Sequence, residues 1–243
     1  MNGEPRKPVP VARDRTLAFS EAMKEFANDP AACIRAGCSV IGDLIYGWGN
    51  DWSATEEYLR CCLEHSLHVQ GPILECGSGL SSVLVGVIAK MRGCPHWVLE
   101  HMPFWADTVQ RCLDVHELDS TVVCMKPLKD FGEFFWYDPP LRSMPASFAL
   151  VICDGPPGHT RGGRYGLASV MRDRLKPGCT LLLDDADREA ERRIARRWAA
   201  ELEGTFELIG HAKPYIRMSL VDKTDVIRIA RLATRWSIDP TGT

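Results

Sequence analysis

From Pro72 onward the chain keeps one rhythm: a short apolar run, a turn, a longer amphipathic segment, then the next apolar run. Short apolar runs bounded by turn residues read as buried strands, and the segments between them carry helical spacing. Strands are expected at Ile73–Cys76, His96–Glu100, Thr121–Met125, Ser147–Cys153, Thr180–Leu183, Phe206–Ile209 and Tyr215–Val221. Helices are expected at Ser82–Met91, Pro103–Val115, Tyr165–Leu175 and Ala186–Leu202, with Phe131–Tyr137 as a hairpin arm. Strands alternating with helices make βαβ units, and right-handed crossovers cover both faces of the sheet they build. The expected fold is therefore α/β: a doubly wound, mostly parallel sheet of seven strands.

The first 70 residues lack this rhythm. Residues 1–15 are polar and read as loosely attached. Leu17, Phe19, Met23 and Phe26 give helical spacing over 16–28, which Pro30 closes, and residues 31–46 are apolar and helical in turn. Tyr46 to Ser53 reads as a loop rich in glycine and aromatics. Ser53 with Glu56 forms a capping box that opens a helix through about His68. The chain then divides into a tail and helical cap (1–70), a sheet domain (71–222) and a C-terminal tail (223–243) that offers a final helix or a homodimer contact.

Composition narrows the class. No stretch approaches the roughly 18 apolar residues of a membrane span, and the N-terminus has no apolar leader, so a cytoplasmic protein is expected. A formal charge of -3 exerts no global pull toward nucleic acid or an anionic membrane, and neither is expected as a partner. The ten cysteines form no CxxC pair and read as small core residues, not zinc ligands.

In such a sheet, ligands bind at the carboxyl ends of the strands, near the point where strand order reverses. Residues just after each strand are therefore the candidates. After the first comes Glu75-Cys76-Gly77-Ser78-Gly79-Leu80-Ser81-Ser82. Two glycines allow a sharp turn and close ligand approach, and the following helix N-terminus offers free N–H groups to an anion. The dinucleotide fingerprint wants a third glycine, where this chain has Ser82. The second strand ends in Glu100, placed to accept hydrogen bonds from ribose hydroxyls. The fourth ends in Asp154-Gly155-Pro156-Pro157-Gly158-His159, and the next in Asp184-Asp185. Three carboxylates at neighbouring strand ends suit either one divalent ion or acid–base work.

These residues carry a resemblance. Glu75 to Gly79 resembles the E/DxGxG first motif of class I S-adenosylmethionine-dependent methyltransferases, Glu100 their ribose acid, and Asp154 their acid after the fourth strand. The likeness covers roughly residues 70–220. The run Asp154–Gly158 and the Asp184-Asp185 pair are similar to the small-molecule O-methyltransferase branch, catechol O-methyltransferase-like enzymes included. The resemblance implies a Rossmann-like fold and S-adenosyl-L-methionine held by Glu75, Gly77, Ser78, Gly79, Ser81, Ser82, Glu100, Leu128 and Asp154. It implies Mg2+ on Asp154, Asp184 and Asp185, and methyl transfer to a small-molecule hydroxyl. The alternatives are an N-methyltransferase, an NAD(P)-binding oxidoreductase and a non-catalytic cofactor-binding module.

Catechol-type members place a general-base lysine where this chain has Pro157. His159 is the expected replacement, because histidine titrates near neutrality, with Asp154 and Asp185 as further catalytic candidates. Trp52, Arg161, Arg164 and Tyr165 are the expected acceptor contacts; Trp48 and Trp52 suit either cation–π stacking or pinning of the cap. Tyr137-Asp138-Pro139-Pro140 looks like the D/N-P-P-Y/F motif of amino-methyltransferases, but it precedes the fourth strand and reads as a hairpin exit. The arginines of 188–197, interleaved with Glu189 and Glu191, read as a solvated helix face.

Overall fold

The computed structural model describes residues 14–50 and 53–222. Helices α1 (Arg15–Asn28), α2 (Pro30–Ile34), α3 (Val40–Trp48) and α4 (Glu56–His68) precede the sheet. Then follow β1 (Ile73–Cys76), α5 (Leu80–Arg92), β2 (His96–Glu100), α6 (Pro103–Val115), β3 (Thr121–Met125) and a hairpin of β4 (Lys129–Asp130) and β5 (Phe135–Trp136). The chain continues through β6 (Phe148–Cys153), α7 (Gly166–Met171), β7 (Leu175–Leu183), α8 (Glu189–Leu202), β8 (Gly204–Ile209) and β9 (Tyr215–Leu220). The seven-stranded sheet runs β3-β2-β1-β6-β7-β9-β8. Pairings from β3 through β7 are parallel, and β9 lies antiparallel between β7 and β8. Strand order reverses between β1 and β6, so the ligand crevice of this architecture falls at their carboxyl ends.

Alternation along the central strands divides the core into two layers. Ile73, Leu150, Ile152 and Leu182 pack with Val83 and Ile88 of α5 and with Phe26, Ile41, Leu44 and Leu59 of the leading helices. Leu74, Cys76, Val151, Cys153, Leu181 and Leu183 face Trp136, Leu167 and Trp198 on the other side. The leading helices thus form part of the helical layer on one face of the sheet. Buried Tyr58 anchors them, donating to the carbonyl of Leu182 at 3.2 Å. Arg60 reinforces them, with one guanidinium nitrogen reaching the Cys33, Ile34 and Arg35 carbonyls (2.7–3.0 Å) and the other that of Cys38 (2.5 Å). All ten cysteines are free.

Several local expectations are corrected. Pro30 opens a helix as well as closing one: Asp29 caps α2 by accepting from Ala32 N–H at 2.9 Å, and proline suits the first helical position. The stretch 31–46 is broken between Ile34 and Val40. The cap of α4 is Thr55, whose Oγ1 accepts from Tyr58 N–H at 3.3 Å; Ser53 Oγ is buried without a partner. Gly47 and Trp48 belong to α3. A Cβ on Gly47 would lie 2.6 Å from that of Phe19, so this glycine serves a close helix crossing, beside which Trp48 packs on Phe19. The expected helix 165–175 is a short α7 flanked by 3-10 turns, and β7 starts five residues before the expected Thr180. Trp52 and the tail from residue 223 lie outside the described residues, and no described helix is long and apolar enough to cross a membrane.

Candidate active site

The turn after β1 is built around Gly77, whose φ of +91° is a region that residues with a side chain avoid. A Cβ on Gly77 would also lie 3.1 Å from the backbone nitrogen of Gly155, so the loops after β1 and β6 touch at the point of strand reversal. Gly79 differs: its backbone is extended and a Cβ there would meet nothing within 4 Å. The open space lies directly before α5, whose first N–H groups lack helical partners. Ser82 Oγ accepts from Gly79 N–H at 3.1 Å, which fixes the entry to the helix. Beneath the turn, Glu75 is buried, accepts from the Ser81 hydroxyl and lies 3.2 Å from Nε2 of buried His96.

Glu100 ends β2 against the same turn. Its Oε2 accepts from the backbone N–H and the hydroxyl of Ser78, both at 2.8 Å. Its Oε1 accepts from His101 N–H (2.6 Å) and Met102 N–H (2.7 Å), with His101 Nδ1 at 3.1 Å. Burial alone would raise its pKa, but these donors, the His101 side chain first, hold it below the ordinary carboxylate value. The acid is therefore ionised and its lone pairs are taken. An incoming diol meets one donor free to rotate away, the Ser78 hydroxyl. Leu128, half-buried beyond β3, packs against the second core layer.

The second half of the site lies at the ends of β6 and β7. Oxygens of Asp154, Asp184 and Asp185 lie within 4.8 Å of one another, close enough to share an ion. Organic cations already stand among them. Arg164, 2% exposed, donates to Asp154 Oδ1 at 3.0 Å, to Asp185 Oδ2 at 2.5 Å and to the carbonyls of Asp154 and Asp184. Lys213 lies 2.5 Å from Asp185 Oδ1 and 3.3 Å from Asp184 Oδ2, and Arg188 lies 2.9 Å from Asp185 Oδ2. A divalent ion needs carboxylate oxygens free of competing cations. As arranged, this donor set does not fit a resident Mg2+.

The same contacts sort the three acids. Burial would raise Asp185, but Arg164 and Lys213 pull it below the ordinary range, and its backbone sits at φ +61°, which aspartate tolerates better than most residues. Asp184 is raised by burial, against the pull of Lys213. Asp154 is raised to about 7, mainly by burial, with Arg164 opposing and the other two carboxylates adding to the rise. Its half-buried side chain is the least enclosed of the trio, at 35% exposure against 2% for Asp184 and 7% for Asp185.

The remaining candidates separate from this cluster. His159 is exposed on the loop after β6 and, among the described residues, has no hydrogen-bond partner. Arg161 pairs with Asp130 at 2.5 Å and stacks on Phe135, 4.2 Å from its centroid, so it holds the hairpin to this loop. Tyr165 donates to Glu201 at 3.1 Å and lies beneath Arg197, 3.5 Å from the ring centroid. The arginines of α8 are largely paired, as in Arg192–Glu189 (3.0 Å) and Arg197–Glu201 (2.7 Å). Lys213 went unread in the sequence, where a lone lysine between two strands carries no signal. Tyr137 was read only as part of the hairpin exit.

No family model and no curated protein sequence matches the chain. Solved structures do share its fold. A Podospora anserina methyltransferase, PaMTH1, determined with SAH bound, is 13% identical with a TM-score of 0.55, over 84% of this chain and 88% of that one. A precorrin-6y C5,15-methyltransferase of Geobacter metallireducens is 14% identical with a TM-score of 0.52, over 72% of this chain and 93% of that one. A Bacillus cereus O-methyltransferase in complex with SAH is 14% identical with a TM-score of 0.50, over 87% and 93%. At such identities the likeness is one of fold: a Rossmann-like sheet of the type these methyltransferases have.

Proposed function

We propose that the protein is an S-adenosylmethionine-dependent methyltransferase acting on the hydroxyl oxygen of a small molecule. One juxtaposition carries the reading: an open glycine turn at the end of β1 faces an ionised acid at the end of β2, at the reversal point of a fold shared with SAH-bound methyltransferases. Gly77, Ser78 and Gly79 line the turn, Ser81 and Ser82 shape the helix entry, and Glu100 is placed for the ribose. The cofactor supplies, when bound, a methyl group on a positively charged sulfur. Asp154 takes the proton of the acceptor hydroxyl, because its raised pKa and its place as the least enclosed acid of the trio suit a base working near neutrality. Asp185 holds Arg164, which fixes Asp154 in place. Alignment of the acceptor oxygen with the methyl carbon provides most of the acceleration.

Calorimetric titration with SAH tests the reading, with NADH and NADPH as rival ligands. Micromolar SAH binding without nicotinamide binding is the expected result. Nicotinamide binding without SAH binding would replace a transferase with an oxidoreductase. SAH binding without turnover on hydroxyl- and amine-bearing acceptors would favour a binding module.

A further inference from the structure

The residue over the reversal point is Tyr137, which follows β5. A Cβ built on Gly155 would fall 2.3 Å from its hydroxyl, and Gly155 itself abuts Gly77. The phenol oxygen therefore sits where the loops after β1 and β6 meet. Its ring lies edge-on to that of His101, with centroids 6.0 Å apart, which brings it beside the loop after β2 as well. The side chain is 2% exposed, and its hydroxyl is buried with no hydrogen-bond partner.

An unpaired buried hydroxyl forfeits its solvation with no bond in return, and native structures rarely keep one without a reason. Packing does not require it, because a phenylalanine ring would fill the same volume. The neighbouring polar groups are spoken for: Glu100 has donors on both oxygens, and Arg164 engages Asp154 and Asp185. Burial first, then the charge of Glu100, hold the phenol far above its ordinary pKa, so it stays a neutral donor. A donor lacking an acceptor in the crevice of an α/β sheet is a donor awaiting a ligand.

We infer that Tyr137 is a cofactor-binding residue whose hydroxyl donates a hydrogen bond to an acceptor atom of the bound nucleoside–amino acid, beside the point where the Gly77 and Gly155 backbones meet. The assignment rests on the cofactor reading above. It gives the hairpin a purpose, since β4 and β5 carry Tyr137 to the crevice and Arg161 ties β5 to the loop after β6.

The test compares Tyr137→Phe with the wild-type chain by SAH calorimetry and by melting temperature without ligand. The variant is expected to bind SAH roughly tenfold more weakly. Its unliganded melting temperature should be unchanged or higher, because only an unpaired hydroxyl is lost. That pairing of results is one a structural tyrosine would not give. Equal or tighter SAH binding by Tyr137→Phe overturns the assignment and makes the phenol a plug. A lower unliganded melting temperature with unchanged affinity also overturns it, in favour of a structural bond. A wild-type chain that fails to bind SAH removes the cofactor reading and this assignment together, which separates that failure from the other two.

Discussion

The two halves of the crevice are built on opposite principles. At the ends of β1 and β2 Glu100 is surrounded by backbone N–H groups and one hydroxyl, from Ser78 of the turn and from His101 and Met102 beside it in sequence. Space is left open above Gly79. At the ends of β6 and β7 three acids are crowded together and neutralised by Arg164, Arg188 and Lys213, drawn from different elements. The first half presents unfilled donors at a helix start, and the second presents charge already balanced. Sequence separation is alike in the two halves, with Ser78 22 residues from Glu100 and Arg164 21 from Asp185. The first half is legible because Ser78 lies in a glycine turn with a recognisable pattern, and the second is hidden because Arg164 and Lys213 lie in segments that carry none.

The largest effect should come from upsetting the balanced half. Arg164→Met leaves buried carboxylates without their cation and should cost about 3–5 kcal/mol in denaturant unfolding. A cost under about 1 kcal/mol would mean that Arg164 does not hold Asp185 as an anion. The same variant sharpens the metal question. The wild-type melting temperature should be indifferent to Mg2+ and to chelator, whereas Mg2+ should partly restore Arg164→Met by binding the vacated carboxylates. Mg2+ stabilisation of the wild-type chain, lost in Asp184→Asn, would reverse this account.

In the open half, Glu100→Gln should weaken SAH binding roughly 10- to 100-fold, because it removes an ionised acceptor. Calorimetry reads this directly, and an unchanged affinity would remove the ribose role. The smallest effect is a slope. Asp154, raised from 3.8 to about 7, binds more protons folded than unfolded across that interval. Its contribution is fully present below pH 3.8 and is lost as pH rises through about 7. Asp184 shares that direction, and Asp185 and Glu100 run the opposite way. Stability measured from pH 5 to 8 should therefore fall more steeply in the wild-type chain than in Asp154→Asn. Equal slopes would mean that Asp154 is not the raised acid.

Legibility followed the range of the interactions. Central strands, α6 and the glycine turn stood out because apolar runs and turn residues act over a few positions; α6 and β3 fall at the expected bounds. The helices before the sheet were recognised as helical, but their breaks and caps were not, since Pro30 and Ser53 each admit two readings that only neighbours decide. Arg164 stands among the expected acceptor contacts, and it grips the protein's own carboxylates.

The amino-acid order alone determined the strand–helix alternation, the glycine turn and the acids at the carboxyl ends of β1, β2, β6 and β7, because each is a pattern of nearest neighbours. Only the tertiary structure decided which cations meet Asp154, Asp184 and Asp185, that His159 stands apart, and that the Tyr137 hydroxyl lies unpaired against Gly155. Those outcomes depend on distances between elements many residues apart, which folding sets by packing two core layers around one sheet, and no local spacing encodes them.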